Sequence, residues 1–287
     1  SRAFYNDVLG PYEKMATETF NFDKLLPMNT GAEAVETALK IARRWGYQKK
    51  GIAKGMAKIV VCENNFHGRT TTIISFSTDR TAKNEFGPFT QGFEVIAYDD
   101  LKALEELLEK DSNIAGFLVE PIQGEAGVYV PSDSYLKQAK ALCEKYNVLF
   151  IADEVQTGIA RTGKLLATCG NCTCGDRHCS GEPEVKPDIL VLGKALSGGT
   201  YPVSAVLANN DIMDVITPGS HGSTFGGNPV AAAVAMEALS VIKDEKLAKN
   251  ASELGELFRS ELQTLVAANP LVKGIRGKGL LNAILIN

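Results

Sequence analysis

The sequence lacks three features that would assign it to large classes of protein. No apolar run approaches the roughly 20 residues that a membrane-spanning helix needs. The 30 basic and 34 acidic residues leave a net charge of -4, so general electrostatics do not favour nucleic acid or an anionic membrane as a partner. No G-x-G-x-x-G motif follows an early strand, which argues against a Rossmann-type dehydrogenase. A small soluble ligand is the better expectation.

The chain is long enough to bury one large hydrophobic core or two modest ones. It has 287 residues, of which 45% are hydrophobic and 22% are charged, and it contains neither internal repeats nor low-complexity tracts. The sequence begins at Ser1 and stops inside LLNAILIN, which has the pattern of a strand. We therefore expect it to be part of a longer polypeptide.

Aliphatic segments alternate with amphipathic ones from Ile59 onward. The segments KIVVCE, FEVIAY, IAGFLVEPI, VLFIADEV, DILVLG and VSAVLA are typical of buried strands, whereas LKALEELLEK and SYLKQAKALCEKY have helical periodicity. This alternation predicts an α/β fold with a mostly parallel central sheet covered by helices on both faces. The segment TTTIISFS is ambiguous, and its position after a loop favours a helix.

The segment NTGAEAVETALKIARRWG gives the clearest helix. Thr30 and Glu33 have the spacing of a capping box, and Gly46 is the predicted end of the helix. The free N–H groups of a helix start can also hold a phosphate. Because the capping box uses some of these groups, a phosphate would bind those of Gly31 and Ala32, although ordinary capping explains the motif equally well.

Two polar side chains follow aliphatic strands that the pattern places in one sheet. Asp153 ends VLFIADEV, and Lys194 ends DILVLGK about 40 residues later. Ligands of open α/β sheets bind at the carboxyl ends of the strands. The pair is either a buried ion pair or a pyridoxal phosphate site, in which the lysine forms a Schiff base and the carboxylate keeps the ring nitrogen protonated. Either way, we expect Lys194 to lose hydration at a buried strand end.

Two further stretches favour the pyridoxal phosphate interpretation. NFHGR places Phe66 and His67 directly after a strand, where an aromatic face can stack on a pyridine ring, although core packing explains Phe66 as well. HGSTFGGNP places the hydroxyls of Ser223 and Thr224 in a glycine-rich loop before a helix, which suits phosphate oxygens or a simple turn.

Six blocks in order resemble the class III, fold-type I pyridoxal phosphate aminotransferases. They are MNTGAEAVETALKIAR, NFHGRT, VEPIQGEAGV, FIADEVQTGIARTGK, LGKALSGGTYPVSAVL and HGSTFGGNP, and together they span nearly the whole chain. The resemblance is strongest to members that transfer the δ-amino group of ornithine to 2-oxoglutarate, giving glutamate-5-semialdehyde and glutamate. It implies a large domain with a seven-stranded sheet, a small domain, and a homodimer whose active sites lie at the subunit interface.

The resemblance also implies a role for each residue of the cofactor site. Lys194 would form the Schiff base, Asp153 would face the ring nitrogen, and the ring would lie between Phe66 and Val155. Gln156 would bind the 3-oxygen of the ring, and His67 would also be a cofactor-binding residue. The phosphate would be bound by Gly31 and Ala32 of one subunit and by Ser223 and Thr224 of the other.

Substrate binding follows from the same resemblance. Arg69 would hold the α-carboxylate of glutamate or 2-oxoglutarate, and Glu120 and Glu125 would line the pocket. In the family, Glu125 balances an arginine of the small domain, which would lie beyond Asn287. Acetylornithine, 4-aminobutyrate and other ω-amino acid aminotransferases share the cofactor residues and remain alternatives. So does a cofactor-free interaction protein, which would show no absorbance band from pyridoxal phosphate.

Four cysteines crowd into a segment where family members are usually shorter. Cys169, Cys172, Cys174 and Cys179 lie in an insert at about 168–187, together with His178. Three interpretations remain open: zinc binding, a redox-active or disulfide pair reached by a thioredoxin-like partner, and an inert exposed loop. Cys169 and Cys172 would be the redox pair. We expect Cys62 and Cys143, in apolar surroundings, to be inert.

The domain organisation that the resemblance predicts has two parts. Residues 1–264 would form the large pyridoxal phosphate-binding domain, and residues 265–287 would begin the small one. The family works in the cytoplasm and in the mitochondrial matrix, and the sequence does not choose between these two compartments.

Overall fold

The computed structural model describes residues 5–169 and 184–287. Its strands are β1 Lys24–Met28, β2 Lys58–Cys62, β3 Phe93–Ile96, β4 Ile114–Val119, β5 Leu149–Asp153, β6 Ile189–Leu192, β7 Ser204–Ala208, β8 Val272–Lys278 and β9 Leu281–Ile286. Its α-helices are α1 Leu9–Phe20, α2 Gly31–Trp45, α3 Thr71–Ser75, α4 Arg80–Lys83, α5 Leu101–Lys110, α6 Tyr135–Lys145, α7 Asn210–Met213, α8 Pro229–Asp244 and α9 Leu247–Ala268.

Seven strands form one sheet in the order β1-β7-β6-β5-β4-β2-β3. Strands β2 to β6 pair in parallel, and β7 runs antiparallel to both of its neighbours, β6 and β1. The expected α/β fold with a mostly parallel sheet is therefore confirmed. Strands β4, β5, β6 and β7 are buried along their whole length, which explains why they read as continuous aliphatic runs.

Alternate residues of each strand enter different cores, one on each face of the sheet. In β2, Ile59 and Val61 pack with helix α2, whereas Val60 and Cys62 pack with helices α5 and α6. A third cluster joins α1 and α8 to β6 and β7. Helices cover both faces of the sheet, and its strand ends are left to carry the polar side chains described below.

Helix α2 begins and ends where the sequence predicts, but the glycine that caps it is not in the left-handed conformation. The Thr30 hydroxyl accepts the N–H of Glu33, and the Glu33 carboxylate accepts the N–H of Thr30, so the capping box is present. The α-helix ends at Trp45 and Gly46 is its C-cap residue, as predicted, but Gly46 has φ of -53° and a π-helical turn continues to Lys50. Gly51, at φ of +82°, is the left-handed stop. A Cβ on Gly46 would lie 2.9 Å from Cβ of Ala115, so close packing is what requires glycine there.

Other elements match the sequence pattern in part. TTTIISFS contains the short helix α3, and the two long helical segments after Asn228 are α8 and α9. Helix α1 and strand β1 were not anticipated from the sequence. In the described part of the chain, no helix is long and apolar enough to cross a membrane.

The last two strands form an antiparallel hairpin against helix α9. Cα of Gly255 in α9 faces the turn of the hairpin, where a Cβ would lie 1.9 Å from the carbonyl oxygen of Gly279. Arg259 of α9 donates to that carbonyl at 2.9 Å and to Asn282 Oδ1 at 2.8 Å. The boundary expected near residue 265 thus falls within α9, and it stays a prediction.

Burial settles the state of two cysteines. Cys62 and Cys143 are buried; burial raises the pKa of the Cys62 thiol to about 12 and that of Cys143 still further above its ordinary value. Both are inert thiols, as expected. Cys169 is also buried, whereas Cys172, Cys174 and Cys179 lie outside the described residues, as does His178. The three interpretations of the insert therefore stay predictions.

Candidate active site

Asp153 and Lys194 lie at the same edge of the sheet. Strands β5 and β6 are parallel neighbours, and Asp153 pairs in register with Val191, three residues before Lys194. Lys194 itself adopts a φ of +40°, which is uncommon for a residue with a side chain and often marks functional sites. The expectation that Lys194 is buried is wrong for the described chain: Lys194 is exposed, because β6 ends before it at Leu192 and it begins a single 3-10 turn.

Asp153 is a buried carboxylate held by two donors. His67 Nδ1 lies 2.6 Å from Asp153 Oδ2, and the backbone N–H of Val155 donates to Asp153 Oδ1 at 3.0 Å. Burial alone would lower the pKa of His67, but the hydrogen bond to Asp153 and the charges of Asp153 and Glu120 outweigh it and raise that pKa. The imidazole therefore fixes the position of the carboxylate. Each carboxylate oxygen keeps a lone pair for a further donor.

Glu120 is a third titratable group in this buried cluster. It follows strand β4, is buried, and accepts the backbone N–H of Phe66 at 3.0 Å. Burial raises the pKa of Glu120 to about 7; the charges of Asp153 and Glu125 act in the same direction, and His67 opposes them. The site thus holds one carboxylate that is fixed by hydrogen bonds and a second one whose charge changes near neutral pH.

Val155 and Gln156 follow Asp153 and pack against glycines of other loops. A Cβ on Gly31 would lie 2.9 Å from Cγ1 of Val155, and one on Gly193 would lie 3.2 Å from the same atom. Gly193, before Lys194, and Gly31, at the start of α2, therefore both leave space for the Val155 side chain. A Cβ on Gly124 would overlap the amide of Gln156, whose Nε2 donates to Glu125 Oε1 at 3.2 Å.

Phe66 and Arg69 line a cleft of about 710 Å³ with Glu125 on its other side. Phe66 is 37% exposed, and Cζ of Arg69 lies 5.8 Å from the centre of the Phe66 ring. A partly exposed ring can stack on a flat ligand, and a guanidinium can bind a carboxylate. The roles that the resemblance implies for both residues stay predictions.

The start of helix α2 offers two free donors. Glu33 Oε2 accepts the N–H groups of Asn29 and Thr30, at 2.9 and 3.0 Å. The N–H groups of Gly31 and Ala32 have no acceptor among the described residues, and a positive helix end adds to their attraction for an anion. These are the two groups that the sequence assigned to a phosphate.

Ser223 reaches the same place from the glycine-rich loop. Its Oγ accepts a hydrogen bond from Asn29 Nδ2 at 2.7 Å within the same chain. The Thr224 hydroxyl and the Lys194 ammonium have no hydrogen-bond partner in the part of the chain that the structure describes. The prediction that Ser223 and Thr224 serve the phosphate of a second subunit stays a prediction.

These residues fit pyridoxal phosphate. The exposed Lys194 amine, the fixed Asp153 carboxylate, the open face of Phe66 and the two free N–H groups match the aldehyde, ring nitrogen, ring plane and phosphate of that cofactor. Three partnerships could not be predicted from the sequence: His67 with Asp153, Glu120 with the backbone of Phe66, and Asn29 with Ser223. The fold brings these partners together across at least 54 sequence positions.

Comparisons with known proteins agree with this geometry. Residues 2–287 match the family described as Aminotransferase class-III. The mitochondrial ornithine aminotransferase of Drosophila melanogaster is 59% identical over 287 residues, which is 100% of this chain and 63% of that protein. The chain therefore spans less than two thirds of the length of this relative.

Two solved structures show the same fold. The ornithine aminotransferase of Toxoplasma gondii superposes with a TM-score of 0.94 at 55% identity and covers 100% of this chain, which matches 65% of that one. The acetylornithine aminotransferase of Elizabethkingia anophelis has a TM-score of 0.86 at 65% identity, over 100% of this chain and 67% of that one.

Proposed function

This chain belongs to the class-III aminotransferase family, and we propose that it transfers the δ-amino group of ornithine to 2-oxoglutarate with pyridoxal phosphate as cofactor. The products are glutamate-5-semialdehyde and glutamate. The observation that carries the proposal is the pairing of an exposed lysine and a fixed carboxylate at the ends of neighbouring parallel strands. The ornithine aminotransferases among its relatives support the choice of amine donor.

Lys194 and Asp153 carry the chemistry. When bound, pyridoxal phosphate supplies an aldehyde that condenses with amines and a protonated ring that withdraws electrons from the adjacent carbon. Asp153, held in place by His67, would face that ring nitrogen and keep it protonated. Lys194 would hold the aldehyde through its Nζ, and the free Nζ would be the base that takes a proton from the substrate carbon and returns it during the transfer.

The other residues of the site bind and orient. Phe66 and Val155 would hold the two faces of the ring, and Gln156 would donate to its 3-oxygen. Gly31 and Ala32 would bind the phosphate through their N–H groups, with the hydroxyls of Ser223 and Thr224 supplied across a homodimer interface. The sheet edge supports this arrangement because Val155 packs against Gly31.

Substrate recognition uses the cleft beside Phe66. Arg69 binds the α-carboxylate of glutamate or 2-oxoglutarate through a two-pronged hydrogen bond. Glu120 and Glu125 line the same region, and their negative charges suit the amino groups of a basic amino acid. Because Glu120 titrates near pH 7, its share of this attraction depends on pH.

Transfer from N-acetylornithine is the second candidate function. The 65% identity to the acetylornithine aminotransferase of Elizabethkingia anophelis favours it. The mitochondrial relative from Drosophila supports the mitochondrial matrix as the compartment, and the cytoplasm is the alternative.

Spectroscopy and amine donors test the proposal together. The purified protein supplied with pyridoxal phosphate should be yellow, and ornithine should bleach the band faster than N-acetylornithine or 4-aminobutyrate does. A colourless protein that binds no pyridoxal phosphate would refute the cofactor. Faster bleaching by N-acetylornithine would refute the choice of donor and establish the second candidate.

A further inference from the structure

The imidazole of His221 joins the glycine-rich loop to helix α2. Its Nε2 lies 2.8 Å from the Thr37 hydroxyl, and its Nδ1 lies 2.7 Å from the Lys40 ammonium. Thr37 and Lys40 are three residues apart and therefore share one face of the helix. His221 precedes Ser223 by two residues, so this contact fixes the loop close to its hydroxyl-bearing segment.

The donors and acceptors of this contact can be assigned from chemistry. A lysine ammonium can only donate, so Nδ1 of His221 accepts and Nε2 carries the proton. Nε2 then donates to Thr37 Oγ1, whose own proton goes to the Glu33 carbonyl at 2.7 Å. Burial and the Lys40 charge both lower the pKa of His221, which keeps the imidazole neutral, as this arrangement requires.

A second contact holds the loop to the residue that lies just before the start of helix α2 and its cap. Asn29 Nδ2 donates to Ser223 Oγ at 2.7 Å and also to Glu33 Oε2 at 3.0 Å. Glu33 therefore takes part in both contacts, through its carboxylate and through its carbonyl. Between the two contacts lie the free N–H groups of Gly31 and Ala32.

Near His221, the described residues give the glycine-rich loop few other contacts. Gly219 and Gly222 have φ of +81° and +159°, and no heavy atom lies within 4 Å of where a Cβ would stand on either. Phe225, further along, is 68% exposed. Among the described residues, His221 therefore makes the main side-chain contact between this segment and α2.

We propose that His221 is a positioning residue for the cofactor phosphate, because it fixes the Ser223 and Thr224 hydroxyls relative to helix α2. The inference rests on the proposed function, and it holds whichever subunit supplies the phosphate that the hydroxyls reach. His221 does not touch the ring, the substrate or Lys194. Its loss therefore weakens the hold on the phosphate and leaves the rest of the cofactor site intact.

The test compares two cofactor probes that differ only in the phosphate. Apoprotein is titrated with pyridoxal phosphate and, separately, with pyridoxal, which lacks the phosphate. In His221→Ala the dissociation constant for pyridoxal phosphate should rise about tenfold, in line with the loss of hydrogen bonds to a charged group. The dissociation constant for pyridoxal should stay within about twofold of that of the parent protein.

Two companion variants make the result specific. Lys40→Met keeps the aliphatic stem but removes the donor to Nδ1, so it should weaken pyridoxal phosphate binding in the same direction and add little to His221→Ala. Ser220→Ala is the matched control, because among the described residues the Ser220 hydroxyl bonds only within its own turn, to Thr217. It should leave both constants unchanged.

Each outcome decides one point. Equal weakening of both probes in His221→Ala would show a general distortion and overturn the proposal, as would unchanged binding of pyridoxal phosphate. If the parent protein itself binds pyridoxal phosphate no more tightly than pyridoxal, the proposed function fails before the variant is considered.

Discussion

Three titratable side chains from distant parts of the sequence meet at the sheet edge that also carries Lys194. They are those of His67, Glu120 and Asp153. Asp153 is held in place by His67, and burial raises the pKa of the neighbouring Glu120 to about 7. The fixed carboxylate of Asp153 suits a ring nitrogen, whereas the charge of Glu120 changes with pH.

The pKa of Glu120 predicts a pH-dependent effect on stability. The pKa in the folded protein, about 7, exceeds the ordinary value, so protonation stabilises the fold; this stability is present at low pH and is lost as the pH rises towards 7. Glu120→Gln keeps an oxygen for the N–H of Phe66 and cannot ionise. Its unfolding free energy relative to the parent should rise by about 2 kcal/mol between pH 5 and pH 8, measured by urea denaturation.

Glu125→Gln is the control for that series. Glu125 is exposed, and a neutral side chain there should change stability little at either pH. A difference between Glu120→Gln and the parent protein that stays constant with pH would contradict the raised pKa.

Individual site residues were predictable where a motif carries them. Lys194, Asp153 and Phe66 each follow an aliphatic strand, and the order of the six blocks implied their roles. The partner of Asp153 was not predictable, because His67 lies 86 positions away and only the parallel pairing of the sheet brings the two together. The exposure of Lys194 was likewise missed, since the aliphatic run before it says nothing about the turn that follows.

At the scale of elements, one turn connects the terminal hairpin to the candidate site. The turn Gly124–Val128 carries Glu125, and Arg276 of strand β8 donates to the Gly127 carbonyl at 2.8 Å. The Arg276 guanidinium also lies over the ring of Tyr129, with Cζ 3.7 Å from the ring centre. The hairpin therefore supports the backbone that positions Glu125 against Gln156.

Arg276→Met should loosen this turn and weaken substrate binding. The variant loses one hydrogen bond and one cation–π contact, so KM for the amino acid substrate should rise about fivefold while kcat changes less. Arg276→Lys keeps the charge but loses the planar stacking. Its KM should lie between that of the parent protein and that of Arg276→Met. Steady-state kinetics with both substrates is the measurement, and an unchanged KM in Arg276→Met would show that the turn holds its shape unaided.

Most elements of the sheet could be predicted because buried strands leave continuous aliphatic runs. The direction of β7 could not, since VSAVLA looks the same in a parallel or an antiparallel strand. The backbone conformation of Gly46, the residue that caps α2, could not be predicted either. A glycine can serve either a left-handed turn or close packing, and at Gly46 it serves packing against Ala115.

At the scale of the whole molecule, the hairpin β8–β9 depends on helix α9. Gly255 allows the helix backbone to approach the turn at Gly279. The same turn also contacts the segment Arg161–Gly163. The N–H of Leu280 donates to the Arg161 carbonyl at 3.0 Å. We propose that a second domain begins with this hairpin rather than within α9, since the helix continues unbroken to Ala268.

Gly255→Ala should separate the hairpin from the helix. A methyl group there would overlap the Gly279 carbonyl, and relieving the overlap should cost about 2 kcal/mol of unfolding free energy. Gly274→Ala in strand β8 is the matched control, because the nearest atom to its Cβ would be 3.9 Å away. Urea denaturation of both variants, with limited proteolysis of the hairpin, gives the comparison; equal stability of the two would refute the contact.

The most direct test of the central claim is to locate the covalent bond to the cofactor. Protein supplied with pyridoxal phosphate is reduced with borohydride, which makes the bond between a lysine amine and the aldehyde permanent, and is then digested and analysed by mass spectrometry. The structure predicts the modification on Lys194 alone, and its loss together with turnover in Lys194→Ala. A stoichiometric modification on a different lysine, or multiple turnover by Lys194→Ala, would contradict it.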